Sequence, residues 1–135
     1  PNQRAVHEHF SAKRKFAAFD PSVLADYLAR GTEGHADGRT RRLSFRREVE
    51  TAIYNTMPHG LLQEFKRHPF QCPIAFIGGT RSRESRLVGL SGTKQIVGDR
   101  LSWIDGSHLY PFERPRETVA EVLTWLRRFE TQSRA

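Results

Sequence analysis

Cysteine occurs once in the 135 residues, as Cys72, so no disulfide can form within the chain. That suits a reducing, cytoplasmic compartment. No apolar run approaches the roughly 18 residues of a membrane span, and no signal peptide can be read at the start, so a membrane partner is not expected. Pro1 is not how a native chain begins and reads as a processing, cloning or ordering boundary. The six histidines lack metal-ligand spacing: His7-x-His9 is the nearest approach to a pair, and His35, His59 and His68 fall in different elements. Neither a metal nor a cofactor is therefore expected. Gly78-Gly79-Thr80 lacks the Lys-Ser/Thr ending of a phosphate loop and reads as a tight strand exit. A Gly-x-Ser-x-Gly nucleophile elbow is missing too. Its nearest look-alike, Gly89-Leu90-Ser91-Gly92-Thr93, lacks the final glycine and falls within a helical pattern.

What is present is enough for one domain with a modest core, at 37% hydrophobic and 10% aromatic residues. The formal charge is +7, with basic residues gathered at Lys13-Arg14-Lys15 and at Arg39, Arg41, Arg42, Arg46 and Arg47. No zinc-finger spacing, RNA-binding aromatic signature or basic heptad accompanies them, so nucleic acid is an unfavoured partner and a solvated basic surface the simpler reading.

Residues 1–70 read as mostly helical, with no strand long enough to build a sheet. A helix is expected over 3–18. Asp20-Pro21 signals the start of another, because the Asp accepts free amide hydrogens and Pro at the first helical position has none to waste. Val23, Leu24, Tyr27 and Leu28 continue it at helical spacing, and Gly31 is suited to a left-handed ending. A short extended piece is expected near 39–45, then helices over 48–57 and from Leu61 to before Pro69.

The pattern changes at Cys72, which reads as a buried, inert residue at a strand start. Ile74 to Ile77, an unbroken apolar run ending in two glycines, has the form of a parallel strand buried on both faces. Residues 84–97 supply Leu87, Val88, Leu90 and Ile96 for a crossover helix, and Leu101 to Ile104 is the next strand. The spacing exceeds the dozen or so residues that a parallel connection needs, which makes a β-α-β-α unit with the last helix. That helix opens at Pro115, carries Glu117 in its first turn and places Val119, Val122, Leu123, Leu126 and Phe129 in one apolar stripe. Arg127-Arg128 are placed to complement its negative end.

Between strand and helix lies Gly106-Ser107-His108-Leu109 with Pro111, Glu113 and Pro115. This segment resembles the catalytic-histidine loop of the α/β-hydrolase family, and Cys72 to Gly79 resembles that family's penultimate core strand. Residues 1–70 resemble its helical cap, through Phe19-Asp20-Pro21, Val23-Leu24, Tyr27 and Glu48 to Tyr54. The resemblance implies an α/β chain, a partial α/β-hydrolase fold: a cap over 1–70 and the C-terminal core, with two parallel strands, over 71–135. It also implies that His108 is the general base, while the half bearing the nucleophile lies outside this chain. The family's usual acid position falls on Ser82, which cannot orient an imidazolium; the resemblance leaves Glu84 as a candidate substitute, or an acid on the strand preceding the cap, outside this chain. Tyr54, Met57, Phe65 and Trp103 are candidates for lining a substrate pocket beneath the cap. By the same resemblance the complete enzyme hydrolyses an ester or related small carbon substrate, and this portion alone is inactive. The alternative is a non-catalytic hydrolase-like module for binding or assembly. Exposed sheet edges predict a homodimer, or pairing with the missing half.

Overall fold

A computed structural model describes residues 3–35, 37, 40–56, 60–68, 70–87 and 89–133. Pro1, Arg39, Met57, His59, Pro69 and Val88 of the residues named above lie outside them. The chain is mixed α/β, with two small sheets, and divides into compact units over 1–59 and 60–135. The expected cap boundary at residue 70 lies beyond that division, so the helix following Gly60 belongs with the parallel strands.

The first unit comprises α1 (Gln3–Ser11), α2 (Pro21–Gly31), β1 (Thr32–Gly34), β2 (Arg41–Leu43) and α3 (Arg47–Asn55). Helix α1 stops at Ser11 rather than running to residue 18. Turns replace its end, and they fold Phe16 against Phe10 at 4.9 Å, Phe19 at 5.3 Å and Tyr27 at 5.6 Å between ring centroids. Offset and edge-on ring packing of this kind adds to plain area burial, which outweighs the continued helix. Asp20 caps α2 as expected, its carboxylate accepting the amides of Ser22 at 2.9 Å and Val23 at 3.5 Å. Leu24 and Leu28 are buried beneath. Gly31 does not take the left-handed conformation: the helix passes directly into β1, and Gly31 O accepts the Ser44 amide instead.

The hairpin corrects the expectation that this region builds no sheet. Strands β1 and β2 pair antiparallel, with Thr32 opposite Leu43 and Gly34 opposite Arg41. Strands of three residues are too short to show a period-two pattern. Helix α3 forms as expected but buries none of its apolar residues, and Val49, Ile53 and Tyr54 are all exposed.

The second unit comprises α4 (Leu61–Arg67), β3 (Phe76–Gly79), α5 (Arg83–Leu87), α6 (Leu90–Val97), β4 (Leu101–Ile104), α7 (Tyr110–Glu113) and α8 (Pro115–Ser133). β3 and β4 pair in parallel, Phe76 with Leu101 through Gly79 with Ile104. The crossover is two helices rather than one, with Gly89 at φ 92° between them, a conformation that only glycine adopts without strain. Cys72 is exposed, contrary to expectation, because β3 begins four residues later and Cys72 lies on the approach to it.

Helix α8 buries a different face from the one its apolar stripe suggests. Trp125 is the buried residue, its indole Nε1 donating to Ser102 Oγ of β4 at 2.9 Å, while Val119, Val122, Leu123 and Leu126 are exposed and Phe129 is half-buried. One large ring carries more burial than several small side chains, and it alone needs a polar partner. Arg127 and Arg128 lie short of the helix end at Ser133, and Arg128 instead stacks its guanidinium 4.8 Å from the Trp125 ring centroid.

Candidate functional site

Both strand exits of the parallel pair lead into loops that are joined backbone to backbone. Thr80 N donates to Ile104 O and Arg81 N to Gly106 O, each at 2.9 Å. Gly79 sits where the loops touch, and a Cβ there would fall 2.0 Å from Ser107 O. No other residue fits without moving backbone.

The β3 exit supplies Ser82 and Glu84. Ser82 is buried at 1% exposure, and its hydroxyl accepts the Ser85 amide at 3.0 Å, capping the first turn of α5. Ser82 Oγ also donates to Glu84 Oε2 at 3.4 Å. The β4 exit supplies His108, and its Nδ1 lies 3.1 Å from Glu84 Oε2. Both side chains are about half exposed. Glu84 is held below the usual carboxylate range, first by a hydrogen bond from its own backbone amide, then by His108, Ser82 and Arg83.

The loop bearing His108 is anchored from within. Glu113, buried at 9% exposure, accepts the Ser107 amide at 2.9 Å through Oε2 and the Ser107 hydroxyl through Oε1. Ser107 Oγ in turn accepts the Leu109 amide at 3.0 Å. Tyr110 donates its hydroxyl to Ile77 O at 3.0 Å, and burial raises its pKa above the ordinary phenol value. Outside the pair, Arg81 forms an ion pair with Asp105, and Thr80 Oγ1 donates to the same carboxylate oxygen at 3.1 Å. Arg81 Nη2 also reaches to 3.9 Å from Glu113 Oε2.

Of the residues expected at a site, His108 and Glu84 are thus brought together. Tyr54 is 70% exposed on α3, and Met57 lies outside the described residues. Phe65 lines an apolar cavity of about 210 Å³ with Phe70, Phe76, Ile96 and Val97, a lining that includes neither His108 nor Glu84. Trp103 packs edge-on against Phe76 at 5.9 Å. Ser91 lies in the first turn of α6, not on a strand-to-helix elbow. No group of three His, Cys, Asp or Glu side chains among the described residues is arranged to hold a metal. No helix among them is long and apolar enough to cross a membrane.

Sequence reasoning did not find the anchoring role of Glu113 or the capping role of Ser82. Ser82 carried a usable signal, a serine one residue before a short helix with another serine three residues on. Glu113 carried none, since its partner sits six residues away across a turn.

Comparison of the chain with protein-family models, curated proteins and solved structures gives no significant match.

Proposed function

We propose that the chain is the C-terminal portion of an α/β-hydrolase acting on an ester or related small carbon substrate, with His108 as general base and Glu84 as the acid that orients it. One observation supports this reading: an imidazole and a carboxylate on the exits of adjacent parallel strands meet at 3.1 Å. A proton on Nδ1, facing Glu84, leaves Nε2 unprotonated and able to accept one. Glu84 stays ionised at neutral pH, and its charge favours the imidazolium formed when His108 takes a nucleophile's proton. The imidazolium then returns that proton to the leaving group. In the complete enzyme the helical first region corresponds to the cap, and the nucleophile comes from the half preceding this chain. Alone, this chain does not turn over substrate. A single cysteine accords with action in the cytoplasm.

The test is hydrolysis of a short-chain nitrophenyl ester by a chain extended upstream of Pro1. His108→Ala is expected to lower kcat about 10⁴-fold, and Glu84→Gln about 100-fold. An active extended chain indifferent to both substitutions would refute the assignment.

A second reading, a non-catalytic hydrolase-like module for assembly, is favoured by one specific observation. Val122, Leu123 and Leu126 form an exposed apolar stripe on α8, in a unit whose parallel sheet has two strands and therefore open edges. Such edges recruit another strand, from a second copy or from the missing half.

A further inference from the structure

The cavity between α1 and the β1–β2 hairpin has a volume of about 530 Å³, within the roughly 300–1,000 Å³ of small-molecule sites. Its floor is hydrocarbon: Val6 buried, Phe10 half-buried, and Leu43 exposed at the hairpin end. Its rim is cationic, carrying Lys13, Arg41 and Arg42. We infer that this groove binds a small amphiphilic carboxylate, its alkyl or aryl body on the apolar floor and its head between Lys13 and Arg41.

Partner accounting on the rim is what selects an anion. Arg42 is neutralised by Glu33, with Nε 2.8 Å from Oε1. Arg41 has no carboxylate among the described residues; its guanidinium donates from Nε to Thr32 Oγ1 at 3.0 Å and from Nη2 to Thr32 O at 2.8 Å. Those bonds fix the plane of the guanidinium and leave its remaining N–H groups available. Lys13 likewise has no carboxylate partner among the described residues, and its Nζ stands 4.7 Å over the Phe10 ring. Two uncompensated cations therefore flank one apolar cavity, and one of them is held in place before any ligand arrives. A charge-assisted hydrogen bond from each satisfies the two oxygens of a carboxylate, and the locked guanidinium lowers the ordering cost of binding. A nucleic-acid backbone fits less well, because the floor offers hydrocarbon where a phosphate chain offers none. This site is independent of the hydrolase reading.

The experiment titrates monomeric decanoate, with decanol and acetate as controls, into the ¹⁵N-labelled full chain, following amide shifts and binding heat. Saturable one-to-one binding is expected, with shifts confined to Val6, Phe10, Thr32, Leu43 and their neighbours. Decanol and acetate are each expected to bind at least about tenfold more weakly, the loss of roughly one good contact. Lys13→Gln, at an exposed position that leaves the fold intact, should weaken decanoate about fivefold or more, and Leu43→Ser should weaken it independently through the floor. Equal binding of decanol, insensitivity to Lys13→Gln, shifts elsewhere in the chain, or a titration that never saturates would each overturn the inference.

Discussion

Glu113 closes the turn that presents His108 by accepting both the backbone amide and the hydroxyl of Ser107. A buried carboxylate that holds two donors leaves both unsatisfied when it is removed. Glu113→Ala is therefore expected to destabilise the chain by about 1–3 kcal/mol, the cost of orphaning two partly buried donors. Urea denaturation checks it, through a lower midpoint at an unchanged slope.

Gly79 faces Ser107 O so closely that no side chain fits. Gly79→Ala should cost about 1–3 kcal/mol or prevent folding, since backbone rather than a flexible side chain has to move. Gly34 has nothing within 4 Å of where a Cβ would stand. Gly34→Ala is the matched control, expected to change stability by no more than roughly 0.5 kcal/mol, and equal losses from both would contradict the close approach described.

Asp105 is held below the usual carboxylate range, first by the hydrogen bond from Arg81, then by Thr80. Glu84 is lowered as well. A carboxylate whose folded-state pKa is depressed contributes stability above its unfolded value, and that contribution is lost as pH falls through the folded value. The contribution of these two carboxylates should thus be fully present at neutral pH and be lost as pH falls from their ordinary values through the lower folded-state ones. Carboxyl ¹³C titration should place both midpoints below the ordinary values of 3.8 for Asp and 4.5 for Glu. Arg81→Gln should move the Asp105 midpoint upward and leave that of Glu84 in place.

Trp125 and the exposed stripe of α8 should respond differently to mutation. Trp125→Phe removes the bond to Ser102 while keeping most of the ring, and is expected to cost about 0.5–1.5 kcal/mol. Leu126→Ser, on the exposed face, should alter the stability of the isolated chain by less than about 0.5 kcal/mol. In light scattering, however, it should reduce any association that runs through α8, and unchanged association would place the contact elsewhere.

Local signals in the sequence located the elements that local chemistry decides. Asp20-Pro21 gave the start of α2, and Leu101 to Ile104 gave β4 with its bounds. The pairing of Glu84 with His108 was reachable only as a candidate, because it depends on two exit loops lying side by side, which no spacing along the chain displays. Of the hairpin only the second strand was legible, as the extended piece near 39–45, because strands of three residues carry no periodicity and nothing along the chain displays their pairing. The buried face of α8 was not legible for a different reason. A helix with apolar residues on more than one side does not reveal which side has a partner, and here the indole of Trp125 decided it.

The loops after β3 and β4 are tied main chain to main chain, through Thr80, Arg81, Ile104 and Gly106. Those two bonds hold the loops in one register. The separation of the imidazole from the carboxylate is then inherited from the lengths of both loops, not from the side chains alone. Insertion of a single residue into either loop should dismantle the pair even with both residues retained, so the two loop lengths are constrained to change together or not at all.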